Sequence, residues 1–98
     1  MTTRFESKVI VVTGGSSGIG KAVARRIASE GGAVVIGARR EDLGEEVAAS
    51  IRAAGGQAIF LATDSTVEAD VAELIQTAVT KFGQLDGAFN NVGGVNTL

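Results

Sequence analysis

Residues 8–13 read KVIVVT, and the run stops at once on Gly14-Gly15-Ser16-Ser17-Gly18-Ile19-Gly20. No other stretch restricts the fold so much. An unbroken run of β-branched residues suits a strand buried on both faces, as strands of parallel sheets are. The glycines then interrupt regular structure, and Ile19, Val23 and Ile27 set up a helix at four-residue spacing. A strand, a glycine turn and a helix in that order open a βαβ unit.

The rest of the chain repeats that beginning. The first helix is expected over residues 18–30, closed by Gly31-Gly32, with a second strand at Ala33–Ala38 (AVVIGA). Leu43, Val47, Ala48, Ile51 and Ala54 share one helical face before Gly55-Gly56, and residues 58–62 form a third strand. Val67, Val71, Leu74, Ile75, Ala78, Val79 and Phe82 make the most regular apolar stripe, with Ser65-x-x-Glu68 as a capping box and Gly83 as the stop. Residues 85–90 read as a fourth strand, followed by a polar, glycine-containing tail. This β-α-β-α-β-α-β order implies an α/β fold with right-handed crossovers, a Rossmann-like doubly wound parallel sheet truncated after its fourth strand. Residues 1–98 read as one partial dinucleotide-binding domain, with no proline or linker to divide it.

Composition removes several kinds of chemistry. Without Cys or His there is no disulfide framework, thiol nucleophile, imidazole base or usual zinc site, and no metal site is expected. Nine basic and eleven acidic residues are interspersed, for a net charge of −2, so no basic block points to nucleic acid or an acidic membrane. MTTRFESK lacks an apolar signal core and no run reaches membrane-span length, so the expected compartment is the cytoplasm.

Where a glycine loop joins a strand to a helix, backbone N–H groups and the positive helix end can hold a pyrophosphate. The bland alternative is a flexible Gly/Ser turn; the flanking strand and helix argue against it. The spacing Gly-x-x-x-Gly-x-Gly after Thr13 resembles that of the short-chain dehydrogenase/reductase family. The resemblance spans essentially the whole chain, with an acidic residue after the third strand and Asn-Asn-x-Gly after the fourth in the family's order. It implies a nicotinamide dinucleotide as cofactor and partner, with Gly14, Ser16, Ser17, Gly18, Ile19 and Gly20 around its phosphates.

At the end of the second strand stand Ala38-Arg39-Arg40. A carboxylate there would favour a free ribose 2′-hydroxyl, whereas Arg favours a 2′-phosphate, so NADP(H) is preferred and NAD(H) possible. Ser17 stands where NADP-preferring relatives often carry a basic residue. The alternative reading of Arg39 and Arg40 is the solvated start of the second helix. By the same resemblance, Asp64 meets the adenine amine and the backbone of Ser65 assists; otherwise Asp64 is a turn aspartate before the helix cap. Asn90 would tie neighbouring backbones, and Val92 and Gly93 would lie against the ribose on the nicotinamide side. The family usually has Ala where Val92 stands.

The family's proton-transfer group is a Tyr-x-x-x-Lys pair assisted by Ser and Asn, and this sequence contains no Tyr. No residue is therefore assigned as catalytic. The chain reads as the cofactor-binding portion of an oxidoreductase acting on a secondary alcohol or ketone, inactive by itself. The alternative is a non-catalytic dinucleotide-binding or assembly module. An exposed fourth-strand edge is expected to self-associate or pair with another chain.

Overall fold

The first strand, β1 (Val9–Thr13), lies between two parallel neighbours. The computed structural model describes residues 5–14 and 18–90. After β1 come α1 (Gly18–Ser29), β2 (Ala33–Ala38), α2 (Glu41–Ala53), β3 (Gln57–Ala62), α3 (Glu68–Phe82) and β4 (Gly87–Asn90). The sheet order is β3-β2-β1-β4, so the chain winds outward to β3 and returns across β1 to place β4. All three pairings are parallel, with Val11 opposite Val35 and Ala88, and Val35 opposite Ile59. This is the expected Rossmann-like α/β arrangement.

Alternate residues of the central strands feed two cores. Val12, Val34 and Ile36 pack with Ala24 and Ile27 of α1 and Val47, Ala48 and Ile51 of α2. Val9, Val11, Ala33 and Val35 pack with Leu74 and Ala78 of α3 on the opposite face. Helices on both faces leave every residue of β2 buried, which is why that strand reads as a continuous apolar run rather than an alternating one. The edge strands β3 and β4 are only partly buried.

Four expectations about the helices need correction. The stripe on α3 buries only Leu74 and Ala78; Val67, Ile75 and Val79 remain about two-fifths exposed, because the helix covers one face of β1 and β2 with part of a wide stripe. Ile19 is 64% exposed instead of joining the core face of α1. Ala54 is the exposed C-cap of α2 rather than part of its buried face. No Ser65–Glu68 capping box forms, since the N-cap of α3 is Val67 and it makes no side-chain cap. Asp64 displaces the start of the helix: its side chain takes the Thr66 amide at 2.9 Å and its carbonyl takes the Val67 amide at 2.9 Å.

Two devices fix the sheet's geometry. Gly37 in β2 lets α3 approach, for a methyl group there would stand 2.6 Å from Leu74 Cδ2 and 2.9 Å from Thr63 Oγ1. Asp86 fastens β4 to β1, its N–H donating to the Val9 carbonyl at 2.8 Å and its Oδ2 accepting the Val9 amide at 2.7 Å. Gln84 Nε2 donates to the same oxygen at 2.6 Å and to the Ser7 carbonyl at 2.7 Å. The Val9 amide, then Gln84, and more weakly the charge of Lys8, hold the Asp86 carboxyl below the usual carboxylate range.

Because Leu74 is fully buried and cannot swing clear, Gly37→Ala should destabilise the fold by about 1–3 kcal/mol, read as a lower urea midpoint. An unchanged midpoint would mean that α3 does not press on β2. A carboxyl with a depressed folded value adds stability above its unfolded value of about 3.9 and loses it as pH falls through the lower folded value. Asp86→Asn should therefore lower the midpoint at neutral pH and shrink the further loss on acidification to about pH 2. Equal acid losses in both proteins would contradict this role for Asp86.

Candidate functional site

The polar residues that end the strands gather at the carboxyl edge of the sheet, the side on which open α/β sheets hold ligands. Gly14 leaves β1 with φ 73°, a conformation that disfavours any side chain, and its N–H donates to the Gly37 carbonyl at 2.7 Å. That bond ties the start of the glycine loop to β2. At the β1–β4 crevice, where the strand order reverses, Thr13 Oγ1 donates to Asn90 Oδ1 at 2.5 Å.

Helix α1 begins at Gly18, which is exposed with open space where its side chain would stand, while Gly20 is buried. The first turn of α1 contains no acidic residue, whereas α2 has Glu41 and Asp42 there and α3 has Glu68 and Asp70. The positive end of α1 is thus the one whose dipole no first-turn carboxylate offsets. Ile19 projects beside it into solvent.

Gly14, Ala38, Arg39, Asp64 and Ser65 line one pocket of about 250 Å³, with Gly37, Thr63 and Thr66 completing its wall. The Thr63 N–H donates to the Ala38 carbonyl at 2.9 Å, carrying the β2–β3 ladder one step beyond the strands. Arg39 is exposed and makes no hydrogen bond or ion pair among the described residues. Asp64 Oδ1 accepts the Thr66 hydroxyl at 2.6 Å as well as its amide. The hydroxyl, then the amide, and more weakly the charge of Arg39, hold the Asp64 carboxyl below its ordinary range. The pocket therefore presents a cation on one wall and an ionised carboxylate on another.

Arg40 is not part of that wall. It is the N-cap of α2, and its Nε lies 3.6 Å from Asp42 Oδ1 with both side chains exposed, which matches the solvated-helix alternative. Ser16, Ser17, Val92 and Gly93 lie outside the described residues. Sequence reasoning missed Thr13, Gly37, Thr63 and Thr66. A threonine directly after an apolar strand, in IVVT and FLAT, is the signal that marks two of them. A larger hollow between α1 and α2 holds Ile51, Ala28 and an Arg25–Ser50 hydrogen bond of 3.1 Å, but no strand end opens into it. Among the described residues no cluster could hold a metal ion, and no helix is long and apolar enough to cross a membrane.

Fold and pocket together define a Rossmann-like α/β protein with its glycine turn and polar pocket on the carboxyl edge. A family model described as short chain dehydrogenase matches residues 8–98. The 1,6-dihydroxycyclohexa-2,4-diene-1-carboxylate dehydrogenase of Acinetobacter baylyi is 45% identical over 93 residues, covering 95% of this chain and 35% of that protein. The 7alpha-hydroxysteroid dehydrogenase of Bacteroides fragilis is 39% identical, covering 95% and 36%. A crystal structure of hydroxysteroid dehydrogenase from Escherichia coli superposes with a TM-score of 0.90 at 35% identity, over 94% of this chain and 39% of the other. The chain belongs to the short chain dehydrogenase family, and it spans about a third of the length of the curated relatives it matches.

Proposed function

We propose that this chain is the nicotinamide-dinucleotide-binding portion of an oxidoreductase that interconverts a secondary alcohol and a ketone, with NADP(H) preferred over NAD(H). The observation that carries it is the convergence of Gly14, Arg39, Asp64 and Ser65, supplied by three separate loops, on one pocket at the carboxyl edge. The residues present fit such a group. Gly14 leaves room for phosphates, the first turn of α1 repels no anion, and Ala38 puts no carboxylate beside Arg39.

In this reading Arg39 forms the fork for a ribose 2′-phosphate. Asp64 accepts from the adenine amine, and the backbone of Ser65 assists. Gly18, Ile19, Gly20, Ser16 and Ser17 surround the pyrophosphate. Asn90, Val92 and Gly93 face the nicotinamide side. When bound, the nicotinamide ring supplies or accepts the hydride. Residues 1–98 form the dinucleotide-binding domain, work in the cytoplasm and contain no catalytic residue, since the tyrosine of the family's Tyr-x-x-x-Lys pair is absent. The relatives named as dehydrogenases support the reaction class. A non-catalytic dinucleotide-binding or assembly module is the second reading.

Titration with NADPH and NADH tests the proposal. The chain should prefer NADPH, and Arg39→Ala should weaken NADPH binding about tenfold or more while leaving NADH nearly unchanged. A folded chain that binds neither nucleotide would sink the proposal. The reading also expects β4 to pair with another strand, because it has β1 on one side and no neighbour on the other among the described residues. Sedimentation at low and high concentration should show association, whereas a monomer at both would remove that expectation.

A further inference from the structure

The two oxygens of Asp64 are in different states. Oδ1 accepts two hydrogen bonds from a single residue, the Thr66 amide at 2.9 Å and the Thr66 hydroxyl at 2.6 Å. Oδ2 accepts none among the described residues. The main chain of Asp64 is held as well, its N–H donating to Asp70 Oδ2 at 3.0 Å and its carbonyl accepting the Val67 amide at 2.9 Å. A carboxylate anchored at one oxygen and at both backbone groups has lost most of its rotational freedom before any ligand arrives. Packing does not demand this arrangement. Thr66 is exposed, so water could satisfy its hydroxyl equally well.

Both residues line the pocket that contains Arg39. Anchoring Oδ1 from the loop before α3 leaves Oδ2 as the only oxygen of the carboxylate open to a ligand donor. We propose that Thr66 is a positioning residue: its hydroxyl fixes Asp64 so that Oδ2 stands as a directed acceptor for an amino group at the adenine end of the dinucleotide. The inference rests on the cofactor reading above. It adds to it a residue that touches no ligand itself and sets how strictly the amino group is recognised.

The Thr66 amide survives substitution and the hydroxyl does not, so the two can be separated. Thr66→Val keeps the β-branched shape without the hydroxyl, and Thr66→Ser keeps the hydroxyl. Each protein is titrated with NADPH and with its hypoxanthine analogue, in which a carbonyl oxygen replaces the adenine amino group. The unaltered chain should prefer NADPH, and Thr66→Val should cut that preference about three- to tenfold while hardly changing affinity for the analogue. Thr66→Ser should restore the preference, and NMR titration should show the Asp64 carboxyl rising toward its ordinary range in Thr66→Val alone.

An unchanged preference in Thr66→Val overturns the role of the hydroxyl. Equal binding of both nucleotides by the unaltered chain overturns recognition by Asp64 yet leaves the cofactor reading standing. Binding of neither removes both. Should Thr66→Val fail to fold, Thr66→Ala against Thr66→Ser makes the same comparison.

Discussion

β2 meets no solvent on either face, and the rest of the structure follows from keeping it dry. A strand buried on both sides has to satisfy all its backbone groups through neighbouring strands, which it does against β1 and β3. It also needs helices above and below, so α1 and α2 must cover one face while α3 crosses to the other. The requirement then reaches single atoms. Gly37 has no side chain because Leu74 occupies that space, and its carbonyl is free to receive the Gly14 amide at the start of the glycine loop. The packing that seals the core thereby fixes the first residue of the candidate site.

Most of the fold was legible because its strongest signals are local. KVIVVT and AVVIGA are short, apolar and bounded by glycine or charge, so their limits hold to within one residue. What failed was every inference that needed a partner to be known in advance. The apolar stripe of α3 is real, yet periodicity cannot say how much of it a neighbour covers, and Ile75 and Val79 stay exposed. Ser65 and Glu68 have the spacing of a capping box, but the turn before the helix is built on Asp64, whose side chain takes the Thr66 amide and whose carbonyl takes the Val67 amide, so that α3 starts later, with Val67 as its N-cap. The fourth strand begins two residues later than its apolar pattern suggested. Leu85 turns into the α3 core, and Asp86 is committed to Val9.

The site divides in the same way. Gly14, Arg39, Asp64 and Ser65 were marked by position after strands, and topology brings strand ends together whatever their side chains are. Arg40 differs from Arg39 only by direction, which residue type does not encode. One faces the pocket and the other begins a helix beside Asp42. Thr66 was not singled out from the sequence, because what sets it apart is a hydrogen bond to Asp64 that its residue type alone does not announce.

The clip between Asp86 and Val9 joins residues 77 positions apart in the chain, as does the bond between Thr13 and Asn90 at the other end of the same strand pair. Contacts of that span add slowly growing but real loop-closure entropy, and they slow folding more than they limit stability. The crevice between β1 and β4 consequently exists only in molecules whose two ends have already met. A molecule lodged across it binds those and no others, so by mass action it acts as a staple on one of the long-range closures among the described residues.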